Sequence, residues 1–251
     1  MNIITEVNDP RIAEFISVRD HVLNANNTIA TETEKIYLQL LASKRPIHKI
    51  LATPSFIEKH SLSGDNIFAA DKKLLESVAG FKIHFEVLIL AEKPADSKLS
   101  DLDERIILLN GLTSPENVGS IVRSSAAFAI NSIITDEKTC SPFLRRCIRV
   151  SMGNIFAMKT YHSINVRGDL KKLKDLGYTI LSTANIPSSV DLKTFEFPKK
   201  CVLIIGSEGD GIDSDILTHS DYVLRINIDS QVAHLNASNA ASIFLSQMSM
   251  L

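Results

Sequence analysis

Residues 106–130 constrain what this chain can fold into more than any other stretch. Ile106, Ile107, Leu108 and Leu109 form a short continuous apolar run, the pattern of a strand buried on both faces. Ser114 then offers an N-cap hydroxyl, and Pro115 suits the first helical position, where its missing N–H costs nothing. Val118, Ile121, Val122, Ser125, Ala126, Ala129 and Ile130 recur at helical spacing, and the opposite face carries Asn117, Ser120, Arg123 and Ser124. Arg123 sits one or two turns beyond a strand end, where open α/β sheets put ligand chemistry.

The same rhythm runs on towards the C-terminus. Strand 132–135 leads to 142–151 and then 155–159, and helix 168–176 leads to strand 179–183. Strand 202–205 leads to a glycine loop at 206–211, and strand 222–226 to a C-terminal helix, 238–248. This alternation predicts an α/β fold with a mostly parallel sheet covered on both sides. Upstream, helix 12–23 follows Asp9-Pro10. An extended piece (29–33), helix 34–42, strand 47–52, helix 54–60, a strand or turn (67–70), helix 71–78 and strand 85–90 complete a small α/β unit of about ninety residues. Residues 91–105 are polar, contain Pro94, Asp96 and Ser97, and read as a linker. The expected organisation is a first domain over 1–92, a linker over 93–104 and a second domain over 105–251.

With 251 residues the chain can form one large or two medium domains. Its 45% hydrophobic and 22% charged content excludes a disordered chain. A formal net charge of −2 excludes a bulk basic field, so any nucleic-acid contact must come from local clusters. Arg145, Arg146 and Arg149 form one such cluster and are the candidate RNA contacts, since arginines suit phosphates bidentately. Lys44, Arg45, His48 and Lys49 form a second; Lys171, Lys172 and Lys174 read as solvated surface. Cys140, Cys147 and Cys201 cannot all pair and show no CxxC spacing, so reduced thiols and no structural metal are expected. No apolar run approaches the ~20 residues of a membrane span. The first residues resemble neither a secretory signal nor a transit peptide, so a cytoplasmic protein is expected.

The loop 206–211, Gly-Ser-Glu-Gly-Asp-Gly, fails both phosphate fingerprints. Ile212 and Asp213 stand where a Walker A loop needs Lys and Ser/Thr, the glycine order is wrong for a dinucleotide site, and Glu208 and Asp210 would repel a pyrophosphate. Gly206 and Gly209 let backbone approach a ligand closely, and Glu208 can balance a guanidinium or sulfonium cation. A tight acidic turn without a ligand is equally compatible. In 224–245 a polar turn precedes a helix beginning near 236–238, with Ser238 as its expected N-cap. Taken alone, Asn236 and Ser238 read as capping residues and His234 as a local hydrogen-bonding group.

Three motifs taken together carry more. Asn117-x-Gly119-x-x-x-Arg123, the loop 206–211 and Leu235-Asn236-Ala237-Ser238 occur in this order, each after a strand. Over 104–251 the chain resembles the SpoU (TrmH-like) family of RNA ribose 2′-O-methyltransferases, within the SPOUT superfamily. The first hundred residues resemble the ribosomal-protein-like RNA-binding domain that precedes it in many members. Thr31-Glu32-Thr33-Glu34-Lys35 stands at the place of a Glu-Gly-x-Lys turn, with Thr33 instead of glycine.

The resemblance implies a C-terminal domain ending in a deep trefoil knot, a feature general fold rules disfavour. It implies S-adenosyl-L-methionine as cofactor, contacted mainly through backbone by Gly206, Ile226 and Leu235, with Thr183 as a fourth contact. Arg123, Asn117, Glu208, Asn236 and Ser238 take the family's catalytic positions. RNA is the implied substrate, ribosomal RNA ahead of transfer RNA, and the implied assembly is a homodimer through the C-terminal and first-motif helices. Asn117 is expected in the loop or first turn, where it and Glu208 would orient Arg123. The chain departs from the pattern at Asn227 (usually proline), Ser230 (usually glycine) and His234 (usually serine). Those departures keep open a non-catalytic RNA-binding or ribosome-associated protein. A transfer-RNA 2′-O-methyltransferase stays open as well, and the Asn117/Arg123 pair argues against a SPOUT enzyme that modifies a base.

Overall fold

Apolar runs separated by capped helices build the first sheet. The computed structural model describes residues 2–16, 20–80, 82, 84–207, 209 and 211–249. Its first unit comprises Met1–Pro94 and Phe143–Phe156. The elements are β1 (Asn2–Ile3), α1 (Ala13–Ile16), α2 (Asp20–Ala25), β2 (Thr28–Glu32), α3 (Glu34–Ala42), β3 (Ile47–Ala52), α4 (Pro54–Lys59), β4 (Ile67–Ala69), α5 (Lys72–Ala79) and β5 (Val87–Glu92). The strand order is β1-β4-β3-β5-β2, with β5 antiparallel to both neighbours. The helix expected over 12–23 is a 3₁₀ turn at Pro10–Ile12 followed by α1 and α2, with residues 17–19 outside the described residues. Thr33, Thr53 and Asp71 cap α3, α4 and α5 with their side-chain oxygens. Thr33 does so at φ +80°, a region that strains a β-branched residue and explains why a glycine suits this turn.

The second unit comprises Ala95–Pro142 and Ala157–Leu251. It runs through β6 (Arg105–Asn110), α6 (Pro115–Ala127) and β7 (Ser132–Thr135). The chain then contributes α7 (Arg145–Val150) to the first unit. It continues with β8 (Lys159–His162), α8 (Val166–Asp175), β9 (Thr179–Thr183), β10 (Val190–Asp191), β11 (Cys201–Gly206), α9 (Ser214–Leu217), β12 (Tyr222–Arg225) and α10 (Ala237–Ser249). Seven parallel strands lie in the order β10-β12-β9-β11-β6-β7-β8. Ile106, Ile107, Val202, Leu203, Ile204 and Ile180 are fully buried, as a sheet covered on both faces requires.

Residues read as a linker are bonded into this unit: the Ser97 N–H donates to Thr160 O at 2.7 Å and the Thr160 hydroxyl to Asp96 at 2.8 Å. The stretch 155–159 is mostly a 3₁₀ turn, Asn154–Ala157, entered through positive φ at Met152 and Gly153; the strand begins only at Lys159. The cap of α10 also differs from expectation. Asn236, not Ser238, is the acceptor: its Oδ1 takes the Ser238 N–H (2.9 Å), the Ser238 hydroxyl (2.7 Å) and the Asn239 N–H (3.4 Å). The longer amide side chain reaches all three donors while Ser238 already lies inside the helix.

Candidate active site

Because β9, β11 and β12 are neighbours, the loops leaving their C-terminal ends share one edge of the sheet. Together with the start of α10 they enclose a cavity of about 190 Å³. Thr183, Gly206, Ile226 and Leu235 all line it, so four positions spread over more than fifty residues converge. Ile205, Leu224, Ala237, Ala240 and Phe244 supply apolar wall.

The glycine loop is closed by two reciprocal bonds, Ser207 N–H to Gly211 O at 3.0 Å and Gly211 N–H to Ser207 O at 3.1 Å. A Cβ on Gly206 would lie 2.4 Å from Gly211 C and 2.6 Å from its carbonyl oxygen, so glycine is required there by the loop itself. A Cβ on Gly209 would meet nothing within 4 Å. The Thr183 hydroxyl donates to Ile204 O at 2.9 Å and fixes the strand end. Glu208 and Asp210 lie outside the described residues. Asn227, at the usual proline position, donates its side-chain amide to Asp191 and ties the start of the next loop to β10. His234 is exposed at the cavity wall.

The first motif meets this cavity's frame through one bond. Asn117 occupies the first turn of α6, as expected, and is buried; its N–H donates to Ser114 Oγ at 3.4 Å. Its Oδ1 accepts from Asn236 Nδ2 at 3.0 Å. Asn236 therefore caps α10 with its oxygen and holds α6 with its nitrogen, and a Ser124–Ser242 hydroxyl pair at 2.8 Å adds a second tie. Arg123 is exposed on α6, and no carboxylate among the described residues pairs with it.

The arginine cluster is divided. Arg149 donates to Glu32 at 2.8 Å, and Arg145 Nε stands 3.9 Å from oxygens of both Asp20 and Glu32. Burial pushes the Glu32 carboxyl above its ordinary range, against the pull of the two arginines. Arg146 is exposed. Among the described residues, no three His, Cys, Asp or Glu side chains are grouped to hold a metal, and no helix is long and apolar enough to cross a membrane.

Two features escaped the sequence reading. Asn110, at the end of β6, donates to Asp136 at 2.7 Å and accepts the Asp213 N–H at 3.0 Å, joining the loops after β6, β7 and β11. The signal was an Asn-Gly pair directly after a buried strand, with Gly111 at φ +72°. Arg225 lines the cavity with its Nε buried and unpaired. A cation ending an apolar strand was the cue.

Residues 104–246 match the model of the SpoU rRNA methylase family. A Staphylococcus saprophyticus protein, provisionally named a TrmH family tRNA/rRNA methyltransferase, is 26% identical over 234 residues, covering 92% of this chain and 94% of that one. The S-adenosylmethionine-bound rRNA methyltransferase of Sinorhizobium meliloti shares the fold with a TM-score of 0.87 at 20% identity, over 98% of this chain and 97% of that one. A solved RNA 2′-O ribose methyltransferase does so with a TM-score of 0.80 at 18% identity, over 98% and 97%.

Proposed function

The chain belongs to the SpoU rRNA methylase family, and from that membership we propose that it transfers a methyl group from S-adenosyl-L-methionine to a ribose 2′-hydroxyl of RNA. Ribosomal RNA is the proposed substrate, supported by the likeness to a solved rRNA methyltransferase over nearly the whole chain. The observation that carries the reading is the convergence of Thr183, Gly206, Ile226 and Leu235 on one cavity whose frame is bonded to the Arg123 helix through Asn236 and Asn117.

The residues present fit the cofactor. Ile205, Leu224 and Phe244 offer apolar surface to an adenine ring, and Arg225 offers an unpaired donor. Inside 226–236 the described residues form one backbone–backbone bond, Val232 N–H to Asp229 O, which leaves loop amides and carbonyls for a ligand. Bound there, S-adenosyl-L-methionine supplies a methyl already activated by a positive sulfur. The protein must then align the hydroxyl and stabilise the charge that develops on its oxygen. A guanidinium, with a pKa above ~12, is a poor base. Arg123 instead holds the 2′-hydroxyl and an adjacent phosphate and stabilises the alkoxide as it forms. Asn236 and Asn117 keep α6 at a fixed distance from the cofactor loops, and Ser238 backs Asn236. Glu208 is assigned the task of orienting Arg123. Arg145, Arg146 and Arg149, the ribosomal-protein-like first domain, the trefoil knot and a homodimer through α6 and α10 belong to the same reading, all carried by family likeness.

Incubating the protein with methyl-labelled cofactor and purified ribosomal or transfer RNA, then digesting to nucleosides, tests it. Label in 2′-O-methylnucleosides from ribosomal RNA is expected. Label in a methylated base, or in transfer RNA alone, would replace this substrate, and cofactor binding without transfer would favour an RNA-binding module.

A further inference from the structure

Arg225 ends β12 and lines the same cavity, where the other described lining residues are apolar or uncharged apart from the exposed imidazole of His234. Its Nε is buried and unpaired, and no hydrogen bond or ion pair from another described residue reaches its guanidinium. A guanidinium keeps its charge at any physiological pH, so leaving it half-buried without a partner is costly. The nearest carboxylate in the sheet register is Asp191, paired across β10 and β12. Its oxygens are turned to other donors: one accepts the Asn227 side-chain amide and the other the Lys193 N–H at 2.9 Å. Neither oxygen is within ion-pair distance of Arg225, so among the described residues the cavity offers a persistent cation with no direct carboxylate partner.

S-adenosyl-L-methionine has four chemically distinct parts that could meet it. The adenosine is neutral, and the sulfonium and the α-ammonium are cations that a guanidinium repels. The α-carboxylate is the remaining group, and it matches the planar fork of an arginine with two parallel, charge-assisted hydrogen bonds. We propose that Arg225 receives the carboxylate of the cofactor's methionyl tail, and so makes the site selective for nucleosides that carry this tail. Arg225 is then a specificity residue for the cofactor. It leaves the apolar wall to hold the adenine and Arg123 to face the RNA. The inference rests on the placement of the cofactor in this cavity.

Calorimetric titration of the full-length protein separates the two claims. The probes are S-adenosylhomocysteine and S-adenosyl-3-thiopropylamine, which differ only by the carboxylate. The wild type should prefer the former by roughly tenfold or more, the worth of a charged hydrogen bond. Arg225→Gln should remove that preference by weakening S-adenosylhomocysteine alone, and Arg225→Lys should keep part of it. Thermal melting checks that each variant folds. A wild type without preference, or an R225Q variant that weakens both probes equally or neither, overturns the role of Arg225, including the case in which Glu208 or Asp210 neutralises it. Ala240→Phe, which fills the cavity, should abolish binding of both probes. If A240F binds them normally, the placement itself is wrong.

Discussion

Arg149, on α7, donates to a fully buried Glu32 at 2.8 Å, whereas Arg123, on α6, is exposed and has no carboxylate partner among the described residues. Arg149 was a candidate RNA contact and Arg123 a candidate catalytic residue on sequence grounds. An arginine paired with a buried carboxylate has part of its donor fork already used, and its loss strands a charge. An arginine with no internal partner keeps its fork for a ligand. Arg225 belongs with the second kind, though its Nε is buried. The contrast sorts positive residues by what they already hold rather than by how closely they cluster in the sequence.

The largest effect should come from Arg123. Arg123→Ala should lower methyl transfer about a hundred- to thousandfold, the usual cost of removing one donor to developing negative charge, while S-adenosylhomocysteine affinity stays near wild type. Arg123→Lys keeps the charge and loses the fork. Single-turnover rates near wild type for R123K, with unchanged RNA affinity, would break the distinction between charge and fork.

Arg149→Ala should act on folding, costing about 3 kcal/mol because Glu32 stays buried without its closest partner. The pH sign follows from burial, which already puts the folded-state value of Glu32 above its unfolded one. The carboxyl's favourable contribution is complete below the ordinary glutamate range and is lost as pH rises through the raised value. Removing Arg149 raises that value further, so the deficit of R149A should widen from pH 5 to pH 8 in denaturant melts. A pH-independent deficit would remove Arg149 from the paired class.

Asn236 gives a smaller and divisible effect. Asn236→Ala should cost about 1 kcal/mol through the lost cap. Asn236→Asp keeps the acceptor but loses the donor to Asn117, so it should melt close to wild type and still transfer methyl more slowly. Equal melting and equal turnover would mean that the Asn117 bond positions nothing. The smallest effect is expected at Arg146, the exposed member of its cluster. Arg146→Ala should reduce the slope of log RNA affinity against log salt by about 0.7–0.9, one phosphate contact. An unchanged slope would withdraw it as an RNA contact.

Much of the second unit was legible because a parallel sheet writes a simple code. Thr179–Thr183 and Ser132–Thr135 fall where apolar runs predicted them, and Ser114-Pro115 starts α6 as its chemistry requires. In the first unit, Glu34–Ala42 and Ile47–Ala52 were equally plain. What was not legible depends on distance. Ser238 looked like a cap, yet Asn236 has the reach to bond three donors and a residue 119 positions away. The ion pairs of Arg145 and Arg149 were not visible either, because their carboxylates, Asp20 and Glu32, lie more than a hundred positions upstream. Gly206 was read as ligand clearance, and its first duty is to admit the backbone of Gly211. Register and long-range pairing decide such points, and neither is written in local periodicity.

The proposed reacting group is a ribose hydroxyl, held by Arg123. Mapping 2′-O-methyl positions across total RNA tests this most directly, in cells that carry the gene, lack it, or carry the Arg123→Ala form. At least one ribosomal-RNA ribose should be methylated with the intact gene and unmethylated without it or with R123A. An unchanged 2′-O-methyl map, or a site restored in full by the R123A protein, would contradict it.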